Sequence, residues 1–375
     1  MWDEALTLSI VVPAFNEAPR LAERAGRLND AALDGIIDPR TTQLIVVDDG
    51  STDDTALVAE LLLGPIFPRL RVLRLLTNSG KGAAVRAGAA AADAPVVAFM
   101  DADMSVDPAQ IPRLLAAMEG ADVVIGSRSL ADSTVDTKNG HRVIMGRTFN
   151  FLVNAMTNVG FKDTQCGFKA FRTPVARILF HLMMIDRFAF DVELLSLARQ
   201  LGMQITEVPV QWADADNSTV RPIADSISMA LDVCRTHWRR DRPAIPALVV
   251  GAHDMSREPD RAQTLAEAFG SFRKTDPIFP LPQDRALILL PLCQTDEING
   301  AAFRLGGSSS NLVVDRRLVS CADLMEMKPL ATMKVGAHAR AGIDLPTGRR
   351  LTRRSALDVR RYEPVSSESV SRLEA

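Results

Sequence analysis

Five apolar runs between Leu6 and Arg128 govern what this chain folds into. LTLSIVVPAF, QLIVVDDGS, RLRVLRLL, APVVAFMDAD and ADVVIGSR lack the polar alternation of a half-exposed strand, and helical stretches separate them. Strands buried on both faces and alternating with helices form a mostly parallel sheet covered on both sides. The fold class is therefore α/β, Rossmann-like. Helices are expected at about 19–32, in DTALVAELLL, in KGAAVRAGAAAAD and at about 108–118, with Ser51-Thr52-Asp53-Asp54 as the N-cap signal of the second. In such a sheet ligands bind beyond the carboxyl ends of the strands.

Past about residue 150 the pattern loosens. FNFLVNAMTNV and FDVELLSLARQLG read as helices, and MQITEVPVQW as a strand. IADSISMALDVCRTHWRRDRP reads as an amphipathic helix with a basic end, suited either to an anionic bilayer surface or to packing on the core. The expected organisation is a catalytic domain over 1–245, a polar, proline-rich linker over 246–284, and a small C-terminal region over 285–375 with a disordered tail.

A formal charge of -3 argues against nucleic acid as a partner. Cys166, Cys234, Cys293 and Cys321 are widely spaced, which fits a reducing compartment and argues against a zinc site or a disulfide framework. The N-terminal stretch lacks the basic flank of a signal peptide, and the apolar runs fall well short of the ~20 residues that span a bilayer. The expected location is cytoplasmic, with peripheral contact to a membrane surface.

NSGKGAAVRAG resembles a phosphate loop. It lacks the G-x-x-x-x-G-K-[ST] spacing of a triphosphatase loop. As a dinucleotide fingerprint it has Val85 at the sixth position and follows the third strand rather than the first. Taken alone, the loop is better read as glycines easing a tight strand-to-helix turn.

The carboxylates carry more. FMDADMS puts Asp101 and Asp103 two apart at the end of a strand. Two such groups repel unless a cation or proton lies between them, and hard oxygen donors suit Mg²⁺ or Mn²⁺ bridging to a diphosphate. Asp48 and Asp49 end a second strand, and Pro13 and Glu17 follow a first. Three parallel strands thus bring acceptors for a base, a ribose and a metal-bound diphosphate to one edge.

VVPAFNE, VVDDGSTD, NSGKGAAVRAG and DADMS, in this order, resemble the family 2 glycosyltransferases of GT-A fold. GSRS, DTQCGFKAFR, RFAFDVELL and EVPVQW are similar to the dolichyl-phosphate glucosyltransferase branch, kin of the dolichyl-phosphate mannose synthases. The resemblance runs from about residue 7 to 240. It implies that Pro13, Glu17, Asp48, Asp49 and Lys81 line a nucleotide-sugar site, and that Asp101 and Asp103 hold the metal on the diphosphate. It makes Arg128, Arg142 and Arg147 candidates for an acceptor phosphate, which guanidinium forks suit. A turn matched by Asn217 to Arg221 adds Ser218 and Arg221, although the family's glycine and lysine are replaced there. Asp191, in RFAFDVELL, is a catalytic candidate or a partner of Arg187.

The implied reaction is inverting transfer of a sugar, glucose from UDP-glucose foremost, to a polyprenyl phosphate. GDP-mannose as donor, a soluble hydroxyl acceptor with Asp191 as base, and a non-catalytic nucleotide-sugar-binding protein are the alternatives.

Overall fold

The computed structural model describes residues 5–136, 160–213, 232, 242–252, 278–281, 285–292, 312–319 and 324. In chain order these include β1 (Leu8–Ala14), α1 (Ala18–Leu33), β2 (Thr42–Asp48), α2 (Thr55–Leu63), β3 (Leu70–Arg74), α3 (Lys81–Ala91), β4 (Val96–Met100), α4 (Ile111–Ala117), β5 (Val123–Ser127), β6 (Thr134–Asp136), β7 (Phe168–Arg172), α5 (Thr173–Leu182), α6 (Phe190–Gln200), β8 (Ile205–Pro209) and β9 (Gln211–Ala213). The chain divides into two compact units.

Among the described residues the first unit is built on a seven-stranded sheet ordered β3-β2-β1-β4-β7-β5-β8. Strand β7 runs antiparallel between β4 and β5; the other pairings are parallel. Because β7 is reversed, its first residues lie at the edge where β1, β2, β4 and β5 end, as the pairing of Phe168 with Met100 shows.

The apolar runs work on both faces. Ile10, Val12, Leu44, Val46, Ala98 and Met100 share a buried cluster with Leu21 and Leu28 of α1, Ala59 and Leu63 of α2, and Leu114 of α4. On the opposite face Phe99 stacks on Phe171 at 6.1 Å and meets Phe190 of α6 at 5.8 Å. There α3 comes so close to β1 that a Cβ on Gly88 would collide with Val11. The expected two-sided, mostly parallel sheet is the one observed.

Two expectations need adjustment. The STDD segment caps its own helix through Asp53, whose Oδ1 accepts from Thr55 N at 3.1 Å, while Asp54 makes no side-chain capping bond. The same stretch also serves α1: Ser51 Oγ accepts from Asn16 N at 2.9 Å, Thr55 Oγ1 from Glu17 N at 2.9 Å, and Asp53 Oδ2 from Ala18 N at 3.2 Å. These side chains satisfy the exposed donors at the start of both helices. The helix expected at 108–118 also begins as a 3-10 turn, Pro108–Gln110, capped by Asp107.

The second correction concerns 246–284. The second unit contains Arg177–Leu182 and residues from Arg240 onward. Its described strands are β10 (Ile245–Ala252), β11 (Ile278–Leu281), β12 (Arg285–Leu289) and β13 (Leu312–Val319), paired antiparallel in the order β11-β12-β10-β13. Two of these four strands come from the stretch read as a linker. Its polar average hid PALVVGA and PIFPL, short apolar runs at its two ends. FNFLVNAMTNV and nearly all of IADSISMALDVCRTHWRRDRP lie outside the described residues.

Candidate active site

The loops after β1, β2, β3 and β4 converge at one sheet edge, held together by their own polar groups. Asn16 sits in the left-handed region at φ 53°. Its Oδ1 accepts from Thr52 N at 2.9 Å, which locks the first loop to the second. Pro13 is buried in β1. Asp49 accepts from Ser79 N and Gly80 N, both at 2.7 Å, so its carboxylate anchors the loop that opens α3. Burial nevertheless raises the Asp49 pKa above the ordinary range. Asp48 is wholly buried; its Oδ1 accepts from Ser51 N at 2.8 Å, and its Oδ2 lies 3.4 Å from Arg74 Nε.

The acidic cluster lies beyond β4. Asp101 Oδ1 is 2.5 Å from Lys81 Nζ, at the first position of α3. Asp103 Oδ1 accepts from Ser105 N at 3.0 Å, in a turn where Met104 takes φ 47°. Arg27 of α1 donates to Met104 O at 3.1 Å. Glu17 accepts both bonds from Arg20 Nη1, at 2.7 and 2.9 Å. Even so, burial, aided by Asp103, Asp101 and Asp53, raises its pKa to about 7. Burial and the neighbouring Asp101 also raise Asp103. Burial works against the Lys81 charge, but Asp101, Asp191 and Asp103 overcome it, and Lys81 holds its proton more tightly than usual.

Strand β7 and helix α6 close the other side. Lys169, fully buried in β7, donates to Asp191 Oδ1 at 2.6 Å and Cys166 O at 2.7 Å, with its ammonium 5.4 Å from the Phe99 ring centroid. Asp191, in the first turn of α6, is raised by burial in spite of Lys169 and Lys81. The adjacent Glu193 accepts from Met184 N and Ile185 N at 3.0 and 2.8 Å. Gly167 packs directly against the Asp101 carboxylate, leaving no room for a Cβ.

Residues 9–180 match Glycosyl transferase family 2. The dolichyl-phosphate beta-glucosyltransferase of Drosophila melanogaster is 37% identical over 248 residues, covering 61% of this chain and 74% of that protein. The chain belongs to glycosyl transferase family 2. Enzymes of the same name from Dictyostelium discoideum and Homo sapiens are 36% and 32% identical, each over 62% of this chain and over 74% and 76% of their own lengths. Among solved structures, glucosyl-3-phosphoglycerate synthase from Mycobacterium tuberculosis is similar at 23% identity, with a TM-score of 0.46, over 61% of this chain and 77% of that one.

For this family 2 glycosyltransferase the donor set fits a divalent cation in one way. Among the described residues no three His, Cys, Asp or Glu side chains form a metal cage. Asp101 and Asp103 are a pair of hard donors, which suits a cation whose other ligands come from a substrate diphosphate. Burial first, and the Asp101 charge second, raise the Asp103 pKa, and a cation between the pair would favour the ionised form.

Of the residues anticipated for the donor side, the structure brings Glu17, Lys81, Asp101 and Asp103 into one electrostatic group. Asp49 also holds the loop that opens α3. Arg128, anticipated for an acceptor phosphate, is bound to Asp163: Nε to Oδ2 at 2.7 Å and Nη2 to Oδ1 at 3.0 Å, with the guanidinium 5.8 Å over the Trp212 ring. The anticipated Asp191–Arg187 alternative gives way to Asp191–Lys169. Arg142, Arg147, Ser218 and Arg221 lie outside the described residues. Lys169, Gly167, Asp163 and Trp212 were not singled out individually, although each lies in a recognised block. A lysine inside the apolar strand FKAFR was the available signal, since a charge buried in a strand demands a partner.

Proposed function

We propose that this chain transfers glucose from UDP-glucose to a polyprenyl phosphate of the dolichyl type, giving the β-linked product by inversion. The observation that carries the reading is the grouping of Asp101, Asp103, Glu17 and Lys81 at the carboxyl edge of β1–β4. The names of the relatives over 61–62% of the chain support the sugar and the acceptor.

In this reading Asp101 and Asp103 are the residues that would hold Mg²⁺ or Mn²⁺ for the diphosphate. The bound ion would offset charge on the departing nucleotide. Asp48 and Asp49 are the carboxylates proposed to line the nucleotide end of the site, and Asp49 also keeps the α3 loop in place. Pro13 holds the first loop beside them. Lys81 supplies positive charge next to the diphosphate. A lipid phosphate is anionic at neutral pH, so its attack needs positioning more than a general base.

The surroundings of Asp191 support a phosphate acceptor over a hydroxyl. A carboxylate buried against Lys169 is poorly placed to collect a proton from substrate. Its proposed role is to balance Lys169. Arg142, Arg147, Ser218 and Arg221 complete the proposed acceptor site, with Arg128 oriented by Asp163. Among the described residues no helix is long and apolar enough to cross a membrane, so the lipid is proposed to be met at the bilayer surface.

The test is transfer from radiolabelled UDP-glucose and GDP-mannose, with Mg²⁺ or Mn²⁺, with and without short-chain polyprenyl phosphate. Glucose label entering an organic-extractable product, and lost in Asp103→Ala, is expected. Transfer only to a soluble acceptor, or only from GDP-mannose, would replace the reading.

A further inference from the structure

We infer that Lys81 is a built-in counter-ion for Asp101, which makes cation binding at the D-x-D pair depend on a diphosphate that takes Lys81 over. The inference rests on the donor site proposed above and concerns its order of assembly.

The two lysine–aspartate pairs of the site differ in freedom. Lys169 and Asp191 have side chains 0% and 4% exposed, and Lys169 also holds Cys166 O. That pair is fixed. Lys81 and Asp101 have side chains 22% and 34% exposed, at the open edge of the sheet.

Only the Lys81 side chain is free to respond. Asp49 binds the N–H groups of Ser79 and Gly80 just before it. Behind it, Ala83 N donates to Asp186 O at 3.0 Å, and a Cβ on Gly82 would lie 2.8 Å from Ile185 O. Asp101 is confined by Gly167 on its flank.

A cation held by Asp101 and Asp103 and the ammonium of Lys81 compete for the charge of one carboxylate. If Lys81 leaves Asp101, it needs another anion. Asp191 is the nearby candidate, and Lys169 already neutralises it. A nucleoside diphosphate supplies the missing negative charge. Cation and nucleotide therefore favour each other's binding, and linkage makes the effect reciprocal. Without nucleotide, the Lys81–Asp101 pair keeps the site closed to stray divalent ions.

The experiment is titration with Mn²⁺, following free Mn²⁺ by electron paramagnetic resonance, on the full-length wild type, Lys81→Met and Lys81→Arg, each with and without UDP. In the wild type UDP is expected to tighten Mn²⁺ binding by about tenfold or more. Lys81→Met is expected to tighten Mn²⁺ binding to the nucleotide-free protein and to shrink the gain from UDP; Lys81→Arg retains the charge and the gain. Lys81→Gln serves if the methionine variant does not fold. Nucleotide-free affinity unchanged or weakened in the neutral variants, with UDP-dependent Mn²⁺ binding intact in the wild type, overturns the counter-ion role alone. Failure of the wild type to bind Mn²⁺ with or without UDP overturns the donor-site reading itself.

Discussion

Lys169 is the residue whose burial most needs explaining. Its charge has no access to water, and its stability rests on Asp191, the Cys166 carbonyl and the Phe99 ring. Lys169→Met leaves the Asp191 carboxyl buried without its partner. A loss of about 3–5 kcal/mol is expected, read by denaturant unfolding. Lys169→Met combined with Asp191→Leu should recover much of that loss, because no lone charge remains. Glu17 makes a prediction of opposite character. Its pKa is raised from 4.5 to about 7, so the folded state binds the proton more tightly than the unfolded chain. Its contribution to stability is fully present below 4.5 and is lost as pH rises through about 7. Cation affinity should run the other way, because ionised Glu17 adds negative charge beside Asp101 and Asp103. Mn²⁺–UDP binding measured by calorimetry should strengthen as pH rises through about 7, and Glu17→Gln should flatten that part of the profile.

The loops between elements are tested by glycines. Gly35 and Gly50 have nearly the same φ, 72° and 73°. A Cβ on Gly35 meets open space, whereas one on Gly50 would lie 2.6 Å from the Thr77 backbone. Gly35→Ala should cost about 1 kcal/mol of strain alone. Gly50→Ala should cost clearly more in the same unfolding assay, because the loops after β2 and β3 must separate. Gly167→Ala tests the junction into β7. The added methyl would enter the space of the Asp101 carboxylate, so loss of Mn²⁺–UDP affinity should exceed any loss of melting temperature.

For the molecule as a whole, the second unit draws on a helix that begins in the first. The end of α5, Arg177–Leu182, is tied within the second unit. His181 Nε2 meets Ala244 O at 3.0 Å, Leu292 N donates to His181 Nδ1 at 3.1 Å, and Arg242 Nη1 donates to Leu182 O at 3.1 Å. A chain cut after residue 240 loses these partners. It is expected to melt at lower temperature and in a broader transition than the full chain, as followed by circular dichroism. An unchanged melt would make 1–240 an independent domain.

The α/β class, the site edge and the D-x-D pair were legible in the amino-acid order, because each depends on local runs: apolar residues long enough for a buried strand, followed at once by carboxylates. What Asp49, Arg128 and Asp191 bind was not legible. Their partners, Ser79 and Gly80, Asp163, and Lys169, lie 22 to 35 residues away in sequence. Nor did composition mark β10 and β11, whose apolar runs are too short to outweigh the polar residues around them. A side chain's type states which bonds it can form. Which of them it does form is decided by the sheet order, which seats the reversed β7 between β4 and β5 and carries Lys169 and Gly167 to the aspartates.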